Sequence, residues 1–116
     1  MVGIRGGIFC EVYGKSMHNL VLEYLLENQD LDFAIGDLAK EVKISRPKAY
    51  EVIKELLKKK YVKKSRVIGK TQLYMLDKSN KRVKLLIRNF IECLKLAYEE
   101  KKIPMNQARN AIASYS

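Results

Sequence analysis

The segment Ile35–Leu56 constrains the fold more than any other part of the chain, because it reads as two amphipathic helices forced together by a very short turn. Leu38, Ala39 and Val42 make the buried face of the first helix, expected over Ile35–Val42. Ala49, Val52, Ile53 and Leu56 are spaced three, one and three apart and form a core-facing stripe on the second. Only Lys43 and Ile44 separate the two before Ser45, whose side chain suits an N-cap. Pro47 then falls in the first turn, where an amide has no intrahelical acceptor and its loss is harmless. Ala39 is small enough for two helices to cross closely, and Ile44 is placed to plug the gap between them. The run Lys58, Lys59, Lys60 suits the negative end of the helix dipole, so this helix is expected from Ser45 to Lys60.

Beyond Lys60 the hydrophobic period changes. Tyr61–Ile68 and Thr71–Leu76 are rich in β-branched and aromatic residues and are split by Gly69-Lys70, the pattern of a hairpin with a short turn. Upstream, Ser16 reads as an N-cap for a helix over Met17–Asn28, in which Leu20, Val21, Tyr24 and Leu25 recur at helical spacing, and Gln29–Phe33 reads as a loop. Downstream, Val83, Leu86, Ile87, Phe90, Ile91, Leu94, Ala97 and Tyr98 repeat at three and four, predicting a long helix from about Lys81 to Glu100, with Asp77 or Ser79 near its start. Met1–Gly14 carries Gly3, Gly6, Gly7 and Gly14 and is expected to be an irregular arm, with Ile8, Phe9, Val12 and Tyr13 docking as a short strand or turn. Pro104 bars easy continuation of the last helix, so 101–116 reads as a short helical extension or a loose tail. The fold class is therefore mainly α with a small β-hairpin (α+β), in a chain of 116 residues that suits one domain. Its parts are an arm over 1–14, a core domain over 15–78, a helix over 79–100 and a tail over 101–116.

Charge is concentrated where those elements meet. Lys40–Lys70 holds twelve basic and three acidic residues, a net +9, whereas the rest of the chain holds eleven basic and ten acidic residues. A uniformly basic protein needs no partner to explain it, but a focused basic segment is the electrostatic footprint of a polyanion-binding surface. The bland alternative is a solvated lysine-rich face. Catalysis is disfavoured: His18 is the single histidine, and the chain has no P-loop and no Gly-rich dinucleotide turn. Cys10 and Cys93 sit in no CxxC and near no histidine, so they read as free thiols in a reducing compartment and a structural metal is not expected. No apolar run is long enough to span a membrane and the N-terminus lacks a signal-peptide pattern, which makes the cytoplasm the expected location. No cofactor is expected.

The stretches LLENQDLDFAIGDLAKEVKISRPKAYEVIKELLKKKYV and KKSRVIGKTQLYMLD resemble the winged helix-turn-helix transcription regulators of the broad MarR/ArsR kind, in particular small archaeal ones. The resemblance covers about Tyr13 to Glu100, and one feature departs from it: many such motifs carry glycine in the turn, and here it is Lys43. It implies sequence-specific binding of double-stranded DNA, with the Ser45–Lys60 helix in the major groove and the hairpin wing on backbone or minor groove. Carried over residue by residue, the exposed recognition-helix positions are Ser45, Arg46, Lys48, Tyr50, Glu51 and Lys54. Arg46 and Lys48 are placed to reach guanine edges or phosphate, and Ser45 with the first-turn amides suits a phosphate oxygen. Tyr50 suits a thymine methyl or a sugar, or else packing beside Leu57. Glu51 suits a cytosine, or else an ion pair with Lys48 or Lys54. On the wing the candidates are Lys63, Lys64, Arg66 and Lys70, with Arg66 or Lys70 best suited to a minor groove.

A terminal helix commonly pairs two subunits in such regulators. Here Leu85, Cys93 and Leu96 widen the apolar face of the last helix beyond its main stripe, so a homodimer is expected, centred on Leu86, Phe90, Ile91 and Leu94. Two other readings keep the fold and change the partner: a winged-helix protein-interaction module in a transcription or replication assembly, and an RNA-binding protein. The charge map favours nucleic acid over protein but does not separate DNA from RNA.

Overall fold

The computed structural model describes residues 7–100 and 112–113. Seven elements run in the order α1 (Ile8–Tyr13), α2 (Met17–Glu27), α3 (Ile35–Val42), α4 (Arg46–Lys58), β1 (Val62–Ile68), β2 (Thr71–Leu76) and α5 (Lys81–Glu99). The core passes through all of them: Leu25, Leu26, Leu38, Ile53, Leu56, Leu76, Val83 and Phe90 are among its fully buried side chains. The α+β class is as expected, and α2 to α5 and the hairpin start and stop within two residues of the sequence reading.

The tight turn after α3 works without glycine. Lys43 takes the left-handed conformation at φ 60°, and the amides of Lys43 and Ile44 both donate to the Ala39 carbonyl. This closes the helix in the manner glycine usually serves. Ala39 and Ala49 are buried where α3 and α4 pack, and half-buried Ile44 joins the core. Ser45 caps α4, its hydroxyl accepting from the Lys48 amide at 3.3 Å. The same device ends α4: Lys60 is left-handed at φ 65°, and the Tyr61 amide reaches back to the Leu56 carbonyl at 2.9 Å.

Three expectations are corrected. The arm around Ile8–Tyr13 is a helix, not a strand or turn, packed on α2 and α5. Its start is held by a buried carboxylate: Glu23 of α2 accepts from the amides of Gly7 at 2.5 Å and Phe9 at 3.1 Å. A short helix with four unpaired amides needs such a partner, and that partner lies on another element. Phe9 and Cys10 are buried, whereas Val12 and Tyr13 are exposed. Second, α5 is capped by Asn80, whose side chain accepts from Arg82 and Val83 and donates to the Lys60 carbonyl at 3.0 Å. Asp77 instead accepts from the Ser79 hydroxyl and amide. Third, Phe33, expected in a loop, pairs with Tyr74 of β2 through two backbone bonds of 2.8 Å. In the tail, Ile112 and Ala113 are helical; residues 1–6, 101–111 and 114–116 lie outside the described residues.

Candidate nucleic-acid interface

Burial of Ala49, Val52, Ile53 and Leu56 turns the opposite side of α4 to solvent. Ser45, Arg46, Lys48, Tyr50, Glu51 and Lys54 are all exposed there. Lys48 and Glu51 form an exposed ion pair at 3.8 Å. Glu51 therefore has a protein partner, and exposed pairs of this kind are worth little and yield readily to a competing ligand. Tyr50 stands 51% exposed, which leaves it available to a partner.

Arg46 has a setting that sequence alone did not reveal. It lies over the first turn of α3, where Gly36 provides the room: a Cβ built at Gly36 would stand 2.9 Å from the Arg46 Nη2 and 3.3 Å from its Cζ. The N-cap of α3 is Ala34, which offers no side-chain cap. The guanidinium thus shares the N-terminal end of α3 with Asp37, the acidic residue of its first turn.

The hairpin continues the basic surface. β1 and β2 are antiparallel, with Val62 opposite Leu76 and Ile68 opposite Thr71, and Gly69 turns the chain at φ 61°. Lys63, Lys64, Arg66 and Lys70 are exposed. Arg66 is engaged inside the protein: its Nε donates to Asp32 Oδ2 at 2.8 Å and its Nη2 to Oδ1 at 3.4 Å. The guanidinium and the Ser65 hydroxyl hold the Asp32 carboxyl below the usual carboxylate range. Val67 and Ile68 expose apolar side chains next to the turn, at 60% and 53%. Lys59 lies 5.8 Å from the centre of the Tyr61 ring at the root of the hairpin.

On α5, Leu86 and Leu94 pack half-buried against the core, and Ile91 is half-buried. Phe90 departs from expectation. At 2% exposure it is a core residue of its own domain, so it is not at the centre of a partner-facing surface. The thiols of Cys10 and Cys93 are free and buried, and burial pushes that of Cys10 up to about 12. Burial likewise lowers the His18 imidazole, whose Nε2 has no hydrogen-bond partner.

No protein-family model and no curated protein matches the chain. Solved structures do resemble it. A protein described as a possible transcriptional regulator from Methanosarcina mazei Go1 superposes with a TM-score of 0.53 at 17% identity, over 84% of this chain and 85% of that one. The Lactococcus lactis protein ZitR, a cysteine-to-serine mutant in complex with DNA, superposes with a TM-score of 0.53 at 18% identity, over 77% of this chain. This chain spans 64% of ZitR's length. The fold is a winged helix. At these identities the likeness carries the architecture alone. No helix among the described residues is long and apolar enough to cross a membrane.

Proposed function

We propose that this protein is a transcription regulator that binds double-stranded DNA, with α4 in the major groove and the β1–β2 wing on the flanking backbone or minor groove. The observation that carries the reading is the outward face of α4, where Arg46, Lys48 and Lys54 stand exposed beside the basic hairpin. These lie within the segment of net +9. A capped helix projecting cations from its first turns, flanked by a basic hairpin, matches the shape and charge of a groove bordered by phosphates. Arg46 and Lys48 are the base-reading candidates, Ser45 and Lys70 the phosphate candidates, and α5 the dimer element. The DNA complex of the structurally similar ZitR agrees with this partner class.

Fluorescence anisotropy with random-sequence duplex DNA, single strands and duplex RNA, each from 50 to 200 mM salt, tests it. Duplex DNA is expected to bind tightest, with log affinity falling by about 0.9 per log unit of salt for each phosphate neutralised. Binding that ignores salt, a preference for RNA, or no binding to any duplex at low salt overturns the proposal.

A further inference from the structure

The hairpin contains an irregularity in its register. Lys64 pairs with Tyr74 and Val67 with Gln72, so β1 advances three residues while β2 advances two. Ser65 and Arg66 together face Leu73. This is a β-bulge, which bends the strand that carries it and raises its twist. In a regular strand consecutive side chains point to opposite faces. The bulge brings two consecutive ones to a single carboxylate: the Ser65 hydroxyl and the Arg66 Nε both donate to Asp32 Oδ2 at 2.8 Å. Asp32 is largely covered, its side chain 19% exposed, while that of Arg66 remains 65% exposed. The backbone of the bulge is also partnered, since the Gln72 side-chain Nε2 donates to the carbonyls of Arg66 at 3.2 Å and Leu73 at 2.8 Å. Next to Asp32, Phe33 makes its paired backbone bonds to Tyr74. Two consecutive residues ahead of α3 thus hold both strands of the hairpin, Phe33 through β2 and Asp32 through β1.

We propose that Asp32 is a positioning residue for DNA binding, latching the bulge through Ser65 and Arg66 so that the outer half of the hairpin presents Lys70 to the duplex. The proposal rests on the DNA-binding reading above. It changes the role expected of Arg66, which here neutralises Asp32 and aims the wing instead of contacting a phosphate. The physical logic is preorganisation. A hairpin tip held at a fixed bend gives up little conformational freedom on binding, whereas an unlatched one must be ordered at that moment.

The alternative has opposite consequences. If Arg66 were a phosphate ligand masked by Asp32, removing the carboxylate would free a cation. Duplex affinity and its salt dependence are measured for the wild type, Asp32→Ala, Arg66→Ala, Lys70→Ala and the double variant Asp32→Ala with Lys70→Ala. The expected result is that all three single variants bind severalfold more weakly, each with a salt slope reduced by about 0.9 per lost contact. The double variant should be no weaker than Lys70→Ala alone. Asp32→Asn, which keeps an acceptor for Ser65 and Arg66, should restore part of the loss. Tighter binding or a steeper slope in Asp32→Ala overturns the proposal, as do additive losses in the double variant. Amide hydrogen exchange of the free proteins supplies a readout without DNA. Exchange over Val67–Gln72 should quicken in Asp32→Ala and Arg66→Ala but not in Lys70→Ala, and equal exchange in all four overturns the latch. A wild type that binds no duplex overturns the DNA reading instead, and the exchange experiment still decides the latch.

Discussion

Gly36 and Arg46 are ten positions apart, yet each sets what the other can do. Gly36 sits in the first turn of α3, where glycine is a weak helix former and alanine would be better by roughly 0.5–1 kcal/mol. Its missing side chain is the space Arg46 occupies, with Nη2 2.9 Å from where a Cβ would stand. The clashing group is the far end of an exposed, flexible side chain, so it can swing away at small cost. Gly36→Ala should therefore keep the fold and gain up to about 1 kcal/mol in denaturant unfolding. It should also shift duplex sequence preference, because the guanidinium is displaced. Preference unchanged from the wild type, with Arg46→Ala itself altering it, would show that Gly36 does not govern the arginine. The residue types of this surface were legible in the chain: serine as cap, proline in the first turn, cations on the outward face. Their partners were not. Arg46 meets Gly36, Arg66 meets Asp32 and Glu23 meets Gly7 across turns whose direction no local pattern encodes.

At the scale of elements, periodicity served well where a helix or strand has one buried face. The stripe of α4 and the paired runs of the hairpin are strong signals of that kind. It failed for Ile8–Tyr13, six residues set among glycines, too short for a period to declare itself. That helix exists because Glu23 caps it and because Phe9 and Cys10 find the core, both tertiary facts. The turn after α3 is the converse, a local conflict that the fold overrides. Lys43 is left-handed at φ 60° with a side chain that disfavours it by about 1–2 kcal/mol. Lys43→Gly removes that strain but adds freedom to the unfolded chain, which costs about 0.4–1 kcal/mol. The strain offsets or outweighs the added freedom, so Lys43→Gly should change stability by about 0 to +1.6 kcal/mol in chemical denaturation, in the stabilising direction. A destabilised variant would mean that the lysine side chain contributes more to the turn than its backbone costs. Duplex affinity should fall slightly in the same variant, since one exposed cation of the basic segment is gone.

For the whole molecule, the question is what α5 does beyond closing the core. Its inward side is made of Val83, Phe90, Cys93 and Ala97, which are buried, with Leu86, Ile87 and Leu94 packed half-buried beside them. Beside that stripe runs a shorter one, Ile91 and Tyr98, seven positions apart and each half-buried. On the other flank Leu85 and Leu96 stand 50% and 37% exposed. A helix that only covers its own domain needs one apolar stripe, so the surplus supports the proposed homodimer, with its centre moved from Phe90 to the neighbouring stripe. This relocation separates two effects that the sequence reading merged. Phe90→Glu puts a charge into the domain core and should unfold the protein outright. Ile91→Glu puts one on the half-buried stripe, and should leave the circular dichroism spectrum and the monomer fold intact while splitting the dimer in sedimentation velocity. Splitting should also weaken binding to a two-half-site duplex by roughly ten-fold or more, because the second recognition helix loses its tether. Half-sites should lie about 34 Å apart, or a multiple of that, as an inverted repeat. A wild type that sediments as a monomer at tens of micromolar, or an Ile91→Glu protein that binds as tightly as the wild type, would return α5 to a role inside one chain and leave a single recognition helix to carry the DNA contact.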